Sequence, residues 1–184
     1  KISSIIKRLQ KSQLNSFHSN NILPSKFSKY INSLNYDIVN LHWIGEETLS
    51  IKDIANIKAP KVFTLHDMWG FCGGEHYIDD KKNLSWFDGY KKSNFNIENI
   101  YDLNFSTWRR KKKFWNPMEI VCPSKWLYEL AKKSNLMHDW NIHHVPYPID
   151  SNIFRKIDKA KSRFENNIPE DSLIIMFGAV QANS

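Results

Sequence analysis

Two short apolar runs in this chain end in histidine, the side chain whose ordinary pKa lets it give or take a proton near neutral pH. Asp37-Ile38-Val39-Asn40-Leu41 leads into His42-Trp43, and Lys61-Val62-Phe63-Thr64-Leu65 leads into His66-Asp67. At either place an imidazole can hydrogen-bond a hydroxyl or a phosphate oxygen; its plainer use is to satisfy a buried backbone group. The stretch after His66 is the richest in chemistry. Gly73-Gly74 lets backbone approach a ligand without Cβ interference, and Trp69, Phe71 and Tyr77 offer flat apolar faces of the kind that stack on sugar rings. The plain alternative is a surface turn packed by its own aromatics. His66, Asp67, Cys72, Glu75 and His76 put five metal donors within eleven residues. Their spacing matches neither a Cys-x-x-Cys pair nor the His-x-x-x-His of a zinc-binding helix, so no metal is expected.

Two further turns follow short apolar runs: Pro123-Ser124-Lys125 and Pro146-Tyr147-Pro148. Ser124 can cap a helix, and the amides of that helix can receive an anion. The run Arg109, Arg110, Lys111, Lys112, Lys113 lies between Trp108 and Trp115. It reads either as a solvated helix face or as a basic and aromatic surface suited to an anionic membrane.

These residues need a frame that brings them together. The runs at 37–43, 61–66, 119–122 and 142–145 are β-rich and bounded by turn residues, as buried parallel strands are. Helices are expected between them. One, opened by Pro24, carries Phe27, Tyr30, Ile31 and Leu34 at helical spacing; another over 49–57 has Ser50 and Asp53 at the spacing of a capping box. A third over 105–115 has Arg109 to Lys113 as its charged face, and a fourth, capped by Ser124, has Trp126, Leu127, Leu130 and Ala131 on its buried side. Ile2, Ile5, Ile6 and Leu9 suit an amphipathic helix within residues 1–22, whereas 78–104 is irregular. A charged connector with a short helix over 153–167 precedes a buried strand at 173–179. Alternating strands and helices imply an α/β fold, a Rossmann-like doubly wound parallel sheet with right-handed crossovers. Ligands of such sheets bind beyond the carboxyl ends of the strands, where all four turns fall.

A chain of 184 residues suits one domain with a real core. Apolar residues at 41% and charged residues at 24% exclude disorder, collagen and coiled coil as whole-chain readings. No apolar run is long enough for a membrane-spanning helix and the first residues do not read as a secretory signal. Two cysteines do not make a disulfide scaffold, so a cytoplasmic location is expected, peripheral on the inner membrane face if the basic run meets lipid. A net charge of +7 favours an anionic partner.

The residues also resemble a known family, the retaining GT-B glycosyltransferases of family 4, especially the bacterial exopolysaccharide and colanic-acid-type enzymes. Asp37 to Trp43 is similar to that family's D-I-V-H-L-H-W, and Thr64 to Tyr77 to its T-L-H-D-M-W-P-F-T-G-G-C-H-Y. Val121 to Leu127 resembles V-A-P-S-x-W-L, and Val145 to Asp150 with Ile153-Phe154 resembles I-P-N-G-I-D-x-x-x-F. Gly70, Cys72 and Glu75 stand where the family carries Pro, Thr and Cys.

The resemblance implies that residues 1–168 form the acceptor-binding half of a GT-B fold without its first strand, and that 169–184 begin the nucleotide-sugar half. This stretch alone is then not expected to turn over. It further implies transfer of a sugar from a UDP- or GDP-sugar co-substrate to a saccharide or lipid-linked acceptor, with retained configuration and no metal. The leaving phosphate would assist attack from its own face. His66 would reach the reaction centre. His42, Trp43, Asp67, Trp69, Gly73, Gly74, His76 and Tyr77 would line the acceptor cleft, with Ser124 and Lys125 approaching from the third strand. Nucleic acid is not an expected partner, whereas an anionic membrane surface is, through Arg109, Arg110, Lys111, Lys112 and Lys113. The competing readings are a noncatalytic carbohydrate- or membrane-binding module, a GT-B-like sugar-nucleotide epimerase and a metal-dependent hydrolase.

Overall fold

The computed structural model describes residues 17–91 and 102–176. Residues 1–16 of the expected amphipathic helix and 177–179 of the expected last strand lie outside the described residues. The chain divides into two compact units, Lys1–Tyr147 and Pro148–Ser184.

In the first unit the four apolar runs become four strands, trimmed at their ends: β1 (Val39–His42), β2 (Lys61–Thr64), β3 (Glu119–Cys122) and β4 (Ile142–His144). They pair all-parallel in the order β1-β2-β3-β4. Helix α1 (Phe27–Ser33) precedes β1, and α2 (Ile51–Asn56) joins β1 to β2. The β2–β3 connection holds the single turn α3 (Ser85–Asp88) and the longer α4 (Leu103–Phe114); α5 (Lys125–Lys133) joins β3 to β4. Local chemistry starts three of these helices. At α2 the Asp53 amide donates to the Ser50 hydroxyl at 3.0 Å, and the Asp53 carboxylate accepts from that hydroxyl and from the Ser50 amide at 2.6 and 3.3 Å. Asp102 and Ser124 cap α4 and α5 by accepting from the amides of Phe105 and Leu127.

The register sets Leu41, Phe63, Ile120 and Ile142 side by side in one row, and that face of the sheet meets the core. Ile54, Ile57, Met68, Phe71, Ala131 and Met137 pack in the same core. At its centre Trp69 makes edge contacts with Phe63 and Trp115, ring centroids 6.4 and 5.9 Å apart. The opposite face, with Asn40, Val62, Thr64, Glu119, Val121 and His143, is more polar and, Thr64 apart, less buried. There Thr64 donates to Asn40 at 3.2 Å, and Glu119 accepts from Asn141 and His143 at 2.9 and 2.7 Å. The sheet was expected to be doubly wound, but among the described residues one face is covered. The strand order explains it: strands added always on the same side, with right-handed crossovers, put every connection on the same face.

Helix α4 also departs from its sequence reading. Trp108 and Trp115 are buried, Arg110 is half-buried and Lys111 is wholly buried, so Arg109 to Lys113 is not one solvated or lipid-facing surface. Only Arg109, Lys112 and Lys113 of the run are exposed. Arg110 donates to the carbonyls of Asn20 and Asn21 at 2.6 and 3.0 Å. On α5, Leu127, Leu130 and Ala131 are buried as expected, whereas Trp126 is exposed. It lies about 40° outside Leu130, at the edge of the stripe, and about 100° from Leu127.

In the second unit α6 (Lys159–Glu165), capped by Asp158, buries none of its residues. Arg163 ties its end down by donating to the carbonyls of Pro169, Glu170 and Ser172. The expected buried strand is not seen at 173–176, which form no ladder, and Leu173, Ile175 and Met176 are almost fully exposed. A buried strand needs neighbours to pair its backbone, and no described strand pairs with this segment.

Candidate functional site

Because the strands are parallel, their carboxyl ends share one edge of the sheet. His42 closes β1 there, while His66, Ser124 and Tyr147 follow the ends of β2, β3 and β4. Three of these four side chains meet. Nδ1 of His42 lies 2.9 Å from Nε2 of His66, and Nδ1 of His66 contacts the Tyr147 hydroxyl. The rings of His66 and Tyr147 stack at 10° with centroids 5.7 Å apart, so Tyr147 reaches over β3 to the neighbouring strand end. Burial, and then the His42 ring, push the pKa of His66 below its ordinary value, with Asp67 opposing in part. The neutral imidazole is therefore the dominant form of His66 at pH 7.

A second network lies beside the first. Asp67 closes the turn Met68–Gly70 by accepting from the Trp69 amide at 2.9 Å. Its other carboxylate oxygen, which can only accept, takes the Nδ1–H of His76 at 2.6 Å. Nε2 of the same ring lies 2.8 Å from Ser19 Oγ, which itself accepts from the Glu46 amide at 2.9 Å. The Ser-His-Asp order is that of a nucleophilic triad. Ser19 is only 1% exposed and its oxygen already has an amide donor, so the chain acts here as a brace between residue 19, the loop after β1 and the loop after β2.

Between the networks lies a small recess of about 10 Å³, with Trp43, Thr64, His66, Asp67, Trp69 and His76 in its lining. That is room for about one water, so a ligand ring would lie over the recess and not inside it. Its rim is aromatic. Trp43 sits at φ +37°, in the left-handed region that bulky residues rarely adopt, and its ring packs against Phe17 and His76 with centroids 6.1 and 6.0 Å apart. Phe17, Trp43, Tyr77 and Tyr147 all keep about half their surface exposed. Burial, and then Asp67 and Tyr147, raise the hydroxyl pKa of Tyr77, which follows His76 directly in the chain.

The structure thus brings together His42, Trp43, His66, Asp67, His76 and Tyr77 of the residues expected at a site. Phe71 is a core residue, 0% exposed; Trp69 is 2% exposed, its indole donating to the Ser19 carbonyl at 2.8 Å, and it reaches the site only as part of the inner lining of the recess. Neither offers a stacking face at the surface. Gly73 and Gly74 also serve packing, not ligand approach. A Cβ on Gly73 would lie 2.6 Å from the Asn104 carbonyl oxygen, and one on Gly74 would lie 2.9 Å from Asn20 Oδ1. Ser124 and Lys125 are exposed at the start of α5, on the same edge. Among the described residues they do not join the hydrogen bonds around His66.

Behind the loop lies a buried polar cluster. Nζ of Lys111 donates to the carbonyls of Trp69, Cys72 and Gly73, and sits 3.8 Å from the centre of the Trp69 ring. Burial drives its pKa down to about 7, opposed by Cys72, Glu75 and Asp67. The Tyr90 hydroxyl meets Glu75 at 3.1 Å, and burial raises the Glu75 carboxyl. Burial and Glu75 also hold the Cys72 thiol well above its ordinary range, so it is unreactive. Cys72 and Glu75 thereby leave the string of five donors, and among the described residues no group of three or more His, Cys, Asp or Glu is placed to hold a metal ion. No helix among the described residues is long and apolar enough to cross a membrane.

Sequence reading missed Ser19, which sits in a polar stretch with no signal of its own. Tyr147 lay in a turn already singled out, yet its part depends on strand order. Fold and site together define an α/β layer of Rossmann-like type with a histidine- and aromatic-lined carboxyl edge. Comparison with family models, curated proteins and solved structures finds no match to this chain.

Proposed function

We propose that the chain is the acceptor-side half of a retaining GT-B glycosyltransferase, which moves a sugar from a UDP- or GDP-sugar to a saccharide or lipid-linked acceptor. The observation that carries this reading is the convergence at one sheet edge of His42, His66 and Tyr147 beside an aromatic-rimmed recess. Neutral imidazoles can hydrogen-bond sugar hydroxyls and phosphate oxygens, and Trp43, Tyr77 and Phe17 supply flat faces for a sugar ring. The resemblance of residues 37–43 and 64–77 to the motifs of family 4 supports the same reading. In this mechanism the protein contributes no covalent nucleophile. Its residues orient the acceptor, hold the phosphate that departs and keep their protons in fixed places.

The test is a transfer assay on the protein expressed from its complete coding sequence, with a panel of nucleotide sugars and lipid-linked acceptors. Acceptor-dependent transfer with retained configuration is expected, falling by about a hundredfold or more in His66→Ala. Transfer unaffected by that substitution removes His66 from the reaction centre, and absence of transfer across the panel rejects the transferase reading.

A further inference from the structure

His66 poses a problem for any direct contact with a ligand: both of its ring nitrogens are already taken, one by Tyr147 and one by His42. Among the described residues, none bonds to Nε2 of His42, which is exposed. We propose that Tyr147 and His66 set the direction of a hydrogen-bond relay, and that its outer end, the Nε2–H of His42, is the donor that meets an oxygen of the bound ligand. The proposal deepens the transferase reading and rests on it for the identity of that ligand.

The direction follows from donor and acceptor counts. A neutral imidazole has one N–H and one bare nitrogen, so three groups in a line point all one way or all the other. A phenol O–H is a good donor, whereas its oxygen is a weak acceptor because its lone pair is delocalised into the ring. A bare imidazole nitrogen is a strong acceptor. Tyr147 therefore donates to Nδ1 of His66, whose Nε2–H donates to Nδ1 of His42. Both histidines carry their proton on Nε2, and each bond polarises the next, strengthening the outermost N–H by roughly 10–30% per bond. The lowered pKa of His66 fits a relay built of neutral rings. The stack of Tyr147 on His66, at 10° between planes, fixes the approach of the hydroxyl. Tyr147 and His66 are positioning residues in this scheme, and His42 is the residue in contact. Its partner is an acceptor oxygen, carried by a phosphate or by a sugar hydroxyl.

The experiment uses full-length protein labelled with 15N at histidine, with the His42 and His66 signals assigned through His42→Gln and His66→Gln. Long-range 1H–15N spectra at neutral pH are expected to show both rings protonated on Nε2. Tyr147→Phe keeps the ring and its stack but removes the donor, so His66 and His42 should each become mixtures of tautomers. An Nδ1-protonated ring in the wild type, or a Tyr147→Phe spectrum identical to it, overturns the relay. Titrations with inorganic phosphate and with a plain monosaccharide then separate the two oxygen sources. A shift at His42 Nε2, with binding roughly threefold to tenfold weaker in Tyr147→Phe, is expected, the worth of about one hydrogen bond. A shift at His66 alone, or at neither ring, overturns the assignment of His42. The tautomers are read without turnover, so loss of the transferase reading would leave this result standing, and the reverse also holds.

Discussion

Replacing Lys111 by methionine would remove one ammonium while keeping most of the stem and its contacts with Trp69 and Trp115. In the native chain this fully buried group donates to three carbonyls, at 3.1 Å for Cys72 and 2.8 Å for Gly73 with Trp69 as the third. Those carbonyls belong to the loop that carries Asp67 and His76 to the candidate site. Each buried acceptor left without its donor costs about 1–3 kcal/mol. Relief of the buried charge, whose cost shows in a pKa driven down to about 7, offsets part of that sum. The net loss expected at pH 7 is about 3 kcal/mol, the lower end for three acceptors. At a urea slope of about 2 kcal/mol per molar this lowers the unfolding midpoint by about 1.5 M. Tryptophan fluorescence reports it directly, since the ammonium lies over the Trp69 ring. A loss below about 1 kcal/mol, or a gain, would mean that burying the charge costs more than its three bonds return, and would refute the view of Lys111 as the staple of the loop.

Two other changes test the same reasoning elsewhere. Gly73→Ala should lower stability by about 1–3 kcal/mol in thermal unfolding, because its Cβ would lie within 2.8 Å of backbone atoms of Asn104, at the start of α4. Gly70→Ala should cost less, since the nearest atom there is the end of the Leu65 side chain, and equal losses at the two sites would contradict the packing argument. At Asp53, burial raises the carboxyl pKa, but hydrogen bonds from the Ser50 hydroxyl, the Ser25 amide, the Ser28 hydroxyl and the Ser50 amide together lower it below its ordinary value. A folded pKa below the unfolded one means stability that is present above about pH 4 and is lost as pH falls through the folded value. Asp53→Asn should therefore be less stable at pH 7 and show a shallower loss on acidification, followed by circular dichroism; an unchanged acid slope would rule out Asp53 as a contributor.

Much of the frame could be read from residue order, because its signals are local. Strands β1 to β4 announce themselves as short β-rich runs between turn residues, and the capping box at Ser50 and the cap at Ser124 need only neighbours three residues away. The edge where His42 and His66 meet followed from parallel strands alone. Facing was harder to read. Trp69, Phe71 and Tyr77 look alike as loop aromatics, yet two fill the core and one reaches the surface. Lys111 looks like any member of a basic run, and residue type argues for water. The loop carbonyls that make its burial tolerable lie some forty residues earlier in the chain, at separations of 38 to 42.

The sequence by itself determined the elements, their caps and the two histidines at strand ends, since hydrophobic period and capping chemistry act over a few residues. Only the tertiary structure decided that Tyr147, 81 residues from His66, occupies one of its nitrogens, that Ser19 braces His76 from a separation of 57, and that the helices leave one sheet face open. Such contacts depend on strand order and on which side each crossover takes, and these are set by burial of the whole core at once.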